Sequence, residues 1–210
     1  MPDLYCAIIG DIKRSRSLPQ RGRVQQRFAD AIATINLEFK KEIASKFLLT
    51  LGDEFQGLLH SVAPSYRVVR RFEELMAPVE FSFGIGVGTL STPLKPEALG
   101  MDGEAFHRAR TALQNAKKSK RDILYDLDSP ALGLLNALIG LMEHERRRMT
   151  KRQRQIMLLL EETEHQATVA RRLRISQPAV SKVASSFRHV LDAEDAVRQF
   201  LQAYAPGKPT

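Results

Sequence analysis

Two adjacent carboxylates, Asp53 and Glu54, lie in the stretch Leu51-Gly52-Asp53-Glu54-Phe55, between the apolar runs Phe47 to Leu49 and Leu58 to Leu59. Hard carboxylate oxygens in a turn between two strands are donors suited to a cation. A further carboxylate, Asp11, follows the apolar run Leu4 to Ile9. A second constellation lies near the C-terminus, where Arg171, Arg172, Arg174 and Arg188 surround Gln177, Ser181, Lys182 and Ser185. Arginines hold phosphates, while amide, hydroxyl and ammonium groups reach base edges, so this segment points to double-stranded DNA.

Elements that could position the carboxylates follow from periodicity. Leu4 to Ile9 reads as a strand buried on both faces. Val24, Phe28, Ala31, Ile32, Ile35 and Phe39 recur at helical spacing and predict an amphipathic helix from about Gln20 to Ile43. Lys46 to Leu51 and Phe55 to His60 predict a hairpin, and Ser61 to Met76 a second helix with Pro64 in its first turn. Val79, Phe81, Phe83, Ile85 and Val87 alternate with Gly84, Gly86 and Gly88 as a strand whose glycine side admits a helix or a ligand at close range. The order is β-α-β-β-α-β, an α+β ferredoxin-like arrangement. A right-handed crossover makes the first two strands parallel, so Asp11 and Asp53 are expected at one sheet edge, with the third strand between.

Glu104 to Lys118 reads as another helix, Ile123 to Leu127 as a fifth strand, and Asp128-Ser129-Pro130 as a boundary. The apolar stripe of the following helix, Ala131 to Arg148, suits packing on its own domain or a homodimer seam. Thr150 to Glu162 is helical. Val169, Ala170, Leu173, Ile175 and Val180 then fall at helix-turn-helix spacing. Ser176 is the expected N-cap, Pro178 sits in the first turn, and the recognition helix is expected from Gln177 to about Phe187. Arg174 stands where the turn usually has Gly. Ala193 to Tyr204 reads as a closing helix, with no wing after the recognition helix. The expected division is 1–128, a linker helix at 129–148, and an all-α helix-turn-helix domain at 149–205.

The formal net charge of +8 over 210 residues points to polyanionic partners. The single Cys6 excludes an intrachain disulfide and fits a reducing cytoplasm. No stretch reaches the ~18 apolar residues of a membrane span. His60, His107 and His165 are scattered and read as structural or solvated.

Three pieces, Ile9-Gly10-Asp11-Ile12, Leu51-Gly52-Asp53-Glu54-Phe55 and Phe83-Gly84-Ile85-Gly86-Val87-Gly88, resemble the catalytic palm of class III nucleotidyl cyclases and GGDEF diguanylate cyclases. Ala109 to Lys117 is similar to the late GGDEF helix that ends in Ala-Lys. The chain as a whole resembles the SatD family, through Tyr5 to Lys13, Thr50 to Leu59 and Gly100 to His107. The palm resemblance implies Mg²⁺ on Asp11, Asp53 and Glu54, and a nucleotide whose phosphates meet Lys13, Arg14, Arg16 and Lys117. It also shows departures: Leu49 stands where mononucleotide cyclases carry a base-reading Lys, His107 and Arg110 are three apart where those enzymes space Asn and Arg by four, and Leu51 replaces a Gly. The reading that follows is a cytoplasmic DNA-binding regulator whose palm-like domain binds a nucleotide. The alternative is an active nucleotidyl cyclase or nucleotidyltransferase with a DNA-localising tail.

Overall fold

Strand β1 (Tyr5–Ile12) carries an unbroken apolar run and is flanked on both sides, as that run demands. In the computed structural model, which describes residues 3–15, 21–50, 52–163 and 165–204, the following elements are helix α1 (Arg21–Glu38), strands β2 (Ile43–Leu49) and β3 (Glu54–Leu59), helix α2 (Ser65–Met76), strand β4 (Phe81–Gly88), helix α3 (Glu104–Ser119) and strand β5 (Ile123–Asp126). The sheet order is β2-β3-β1-β4-β5, antiparallel except for the β4–β5 pair. Both β1 and β2 oppose β3, so they run parallel with β3 between them. This is the ferredoxin-like order read from the sequence, extended by β5.

Several boundaries differ from periodicity. The first helix stops at Glu38, because Phe39 caps it from a turn, accepting the amides of Glu42 and Ile43 at 3.0 Å each, and the chain from Ile43 pairs with Leu59. Phe39 is still buried, so its place in the helical stripe reflects the core it faces and not its backbone state. The second helix begins at Ser65 and not Ser61, with Pro64 at its N-cap. The fourth strand begins at Phe81 and not Val79.

One sheet face is aromatic. Phe28 of α1 and Phe72 of α2 meet Phe55, Phe81 and Phe83, with Phe55 stacked on Phe72 at 4.2 Å between centroids. The other face takes α3, and the glycine side of β4 admits this helix at backbone distance. A Cβ at Gly84 would stand 2.1 Å from the Ala109 carbonyl oxygen, and one at Gly86 would stand 2.2 Å from the Ala109 nitrogen. Ala7, Ile9 and Leu58 join Ala105, Phe106, Ala109 and Leu113 in the core beneath α3.

Both sheet edges are met by an asparagine amide that offers a donor and an acceptor, as a neighbouring strand would. Asn36 takes the Phe47 amide at 2.8 Å and donates to its carbonyl at 2.9 Å. Asn136 does the same at Tyr125, both bonds being 2.9 Å.

The remaining helices are α4 (Leu132–Arg148), α5 (Lys151–Thr163), α6 (Gln166–Leu173), α7 (Gln177–Ser186) and α8 (Arg188–Ala203). The closing helix thus starts at Arg188, five residues before the expected Ala193. The chain divides into two compact units, one of residues 1–136 with the segment from Arg198 onward, the other Ala137–Val197. Within the second unit Ile156, Met157, Leu160, Val169, Val180 and Val190 are buried together with Glu194, whose carboxylate pairs with Arg146. No helix among the described residues is long and apolar enough to cross a membrane.

Candidate functional site

At the end of β1 the small Gly10 lies under the Phe55 ring, where a Cβ would be 2.2 Å from Phe55 Cε1. Pleat alternation then turns Asp11 to the opposite face, the one α3 covers. Asp11 is directly opposite Glu54 in the β1–β3 register, and opposed residues share a face with Cβ atoms roughly 5 Å apart. The Ile12 amide donates to the Asp53 carbonyl at 3.0 Å, which carries the ladder into the turn. That turn closes through the Thr50 amide on the Glu54 carbonyl at 2.9 Å and is opened to tight curvature by Gly52 at φ 56°.

Helix α3 brings the counter-charges. Arg110 and Lys117 are seven residues apart, two helical turns, and so lie on one face. The Arg110 guanidinium forks over Glu54, Nη2 donating to Oε1 at 2.9 Å while Nη1 meets Oε2. Thr50 Oγ1 adds a bond to Oε1 at 3.1 Å. Lys117 Nζ sits on Asp11 Oδ2. Burial pulls the Lys117 ammonium below the usual lysine range.

The chain leaving β1 folds back on the same edge. Lys13 pairs with Asp122, which precedes β5. Arg14 takes a left-handed conformation at φ 54°, which costs a non-glycine residue about 1 kcal/mol. The turn it makes returns Ser15, whose hydroxyl donates to Asp53 Oδ2. Strain of this kind concentrates where the surrounding structure holds a site in place.

The structure therefore brings Asp11, Asp53 and Glu54 to one edge, with Lys13, Arg14 and Lys117 beside them. Arg16 and Leu51 lie outside the described residues. Among the described residues no group of three His, Cys, Asp or Glu side chains is placed to hold a metal ion. His107 pairs with Asp102 at 3.0 Å on the surface. Sequence reasoning missed four members of the edge as partners: Arg110, Thr50, Ser15 and Asp122. Only for Arg110 was there a signal, its seven-residue spacing from Lys117.

The second constellation is built on α5, α6 and α7. Helix α6 ends at Arg174, whose φ of 53° is left-handed, and the Ile175 amide bonds back to the Ala170 carbonyl at 3.0 Å. The chain accepts this strain because Ile175 must turn back before α7 can start. Ser176 caps α7, its hydroxyl accepting the Ala179 amide at 3.4 Å, with Pro178 in the first turn. Val169, Ala170 and Val180 are buried between these helices. Arg171, Arg172, Arg174, Gln177, Lys182, Ser185 and Arg188 are exposed, and Ser181 is half-buried. From His165 to Leu191 the sequence contains no Asp or Glu. Behind this face, Arg152 donates to the Leu173 carbonyl at 2.9 Å and ties α5 to the end of α6.

Among solved structures, similarity extends to a bacterial light-regulated adenylyl cyclase, with 12% identity, 60% of this chain and 76% of that chain covered, and a TM-score of 0.43. The catalytic core of a rhodopsin-guanylyl cyclase with converted specificity, in complex with ATPαS, is 13% identical over 54% of this chain and 72% of that one, with a TM-score of 0.40. The dimeric guanylyl cyclase domain of a RhoGC fusion protein from the aquatic fungus Blastocladiella emersonii is 12% identical over 54% and 74%, also at 0.40. No curated protein matches the sequence. The family signature that does match spans residues 5–191, through both constellations, and by it the chain belongs to the SatD family.

Proposed function

We propose that this protein is a DNA-binding regulator of the cytoplasm in which the α/β domain, residues 1–128, takes a nucleotide with Mg²⁺, and the helix-turn-helix, residues 149–205, takes duplex DNA. The observation that carries the nucleotide half is the charge-balanced edge. Four carboxylates (Asp11, Asp53, Glu54, Asp122) stand among four cations (Lys13, Arg14, Arg110, Lys117). A metal-bound polyphosphate presents the same two signs, and such an edge can take it by exchanging partners without stranding a charge.

The donor set fits Mg²⁺. This ion is usually held by one or two carboxylates together with substrate phosphates and water, so a cluster of three protein ligands is not required. Asp11 and Asp53 are the residues that would hold it. Glu54 is already committed to a forked Arg110 pair and to Thr50, which makes it the strut of the turn. When bound, the ion would neutralise phosphate charge and orient the polyphosphate. Lys117, Lys13 and Arg14 supply the positive charge that phosphates need. The Ser15 hydroxyl fixes the Asp53 carboxylate, and Arg110 holds the hairpin against α3.

The DNA half is supported by the acid-free stretch from His165 to Leu191 and by the exposure of its cations. On α4, Leu134 and Leu141 are 73% and 67% exposed and seven residues apart, which favours a seam with a second copy over a stripe spent wholly inside its own domain.

Thermal melts test the nucleotide half. Mg²⁺ with a nucleoside triphosphate at a hundred times its dissociation constant should raise stability by about 2.7 kcal/mol. Asp11→Asn and Asp53→Asn should abolish that rise. If no triphosphate shifts the melting temperature with Mg²⁺ present, the nucleotide reading fails. Binding of random-sequence duplex at low salt tests the other half, and its absence would remove DNA from the proposal.

A further inference from the structure

We infer that Gln177 is the residue by which α7 selects its DNA sequence, and that it selects adenine in the major groove. The inference rests on the DNA-binding reading given above. Gln177 is the first residue of α7, placed there by the Ser176 cap and followed by Pro178, whose fixed ring stiffens the first turn. It is exposed, and it lies in a stretch with no carboxylate, so nothing acidic within that stretch competes for its amide or repels a phosphate backbone.

The chemistry of the outward side chains separates their roles. A glutamine amide offers one donor and one acceptor side by side, which matches adenine N6 and N7 and no other base in the major groove. Ser181 and Ser185, one and two turns further along, carry hydroxyls that donate or accept and so accept several bases with little preference. Lys182 is a point charge with three donors and no acceptor, suited to phosphate or to a guanine edge. Among these four side chains only Gln177 has a paired donor and acceptor. From Gln177 to Ser185 the helix rises about 12 Å, which spans three to four base pairs at roughly 3.4 Å each. Sequence preference should be confined to a block of that length, with the adenine at the end reached by the α7 N-terminus.

The test is selection from a duplex library with the full-length protein at fixed salt, followed by affinity measurements on the winning sequence and on its single-base variants. The wild type should prefer A·T at one position by about tenfold or more over the other pairs. Gln177→Ala should erase that preference, whereas Arg171→Ala, which removes a cation placed for phosphate, should lower affinity for all sequences alike and keep the preference. Retention of the adenine preference in Gln177→Ala overturns the assignment even though DNA is bound. Failure of the wild type to bind any duplex at low salt overturns the DNA reading itself.

Discussion

The sheet edge and the α6–α7 face both concentrate arginine and lysine, yet they differ in exposure and in the acids that accompany them along the chain. At the edge each of Lys13, Arg110 and Lys117 is laid on a carboxylate, and the site is close to neutral. Along α6–α7 the cations are exposed and the surrounding stretch contains no carboxylate at all. Cations held by carboxylates are suited to a ligand that brings both signs, as a metal-nucleotide does. A stretch of chain without carboxylates and with exposed cations is suited to a ligand of one sign, as DNA is.

The edge depends on where α3 sits, so the strongest way to break the comparison is to lift that helix. Gly86→Val puts side-chain carbon into the Ala109 nitrogen and the Ala105 carbonyl, which are backbone atoms and cannot turn aside. The expected cost is about 3 kcal/mol or more, read as a fall in the urea midpoint. The loss would take Arg110 and Lys117 off their carboxylates together.

A narrower break is Arg110→Ala. Glu54 retains the Thr50 hydroxyl but loses a forked partner, and its side chain is only 13% exposed. We expect destabilisation of about 2 kcal/mol. Glu54→Gln in the same background should recover part of it, because no unpaired charge remains. If Glu54 is the strut of the turn, the cost will be the same with and without Mg²⁺. A cost that shrinks with Mg²⁺ would return Glu54 to the metal set.

On the other region the matching experiment is the salt dependence of DNA affinity. About five phosphate contacts predict a log–log slope near −4.5, a loss of roughly 10²–10³-fold between 50 and 200 mM salt. Arg171→Ala should reduce the slope by about one. The same substitution should leave the Mg²⁺-nucleotide melting shift unchanged.

Much of this contrast was legible in the sequence, and the parts that were not share a cause. Asp11 could be set beside Asp53 because crossover handedness constrains strand order whatever the side chains do. Ser176, Pro178 and the left-handed Arg174 could be read because caps and turns are local. The partners Arg110 to Glu54 and Lys13 to Asp122 span 56 and 109 residues. They depend on how far α3 slides along the sheet and on where the chain enters β5, and neither is a property of any short window. Periodicity also cannot tell a buried residue in a helix from one in the turn after it, which is why the helical spacing runs on through Phe39 although α1 ends at Glu38.

The smallest effect supplies the control for the largest claim about the edge. Glu38 and Arg71 join α1 to α2 by a two-bond pair as Glu54 and Arg110 do, here through Nε and Nη2 at 2.8 Å each and not through the two terminal nitrogens, and far in sequence from Asp11 and Asp53. The Arg71 guanidinium holds the Glu38 carboxyl below the usual range. A carboxylate with a depressed folded pKa contributes stability that is complete above its unfolded value, about 4.3, and is lost as pH falls through the lower folded value. The pair is more than a third exposed on the Glu38 side, so screening limits the contribution to less than about 1 kcal/mol. Stability measured from pH 6 down to pH 3 should therefore show an acid loss of which Arg71→Ala removes a shallow part, and Mg²⁺ should leave that part unchanged. At the edge, Asp11→Asn and Asp53→Asn should abolish the response to Mg²⁺-nucleotide. A Mg²⁺ effect on the Glu38 pair as large as that at the edge would mean that the ion acts on carboxylates in general, and the edge would lose its claim to be a site.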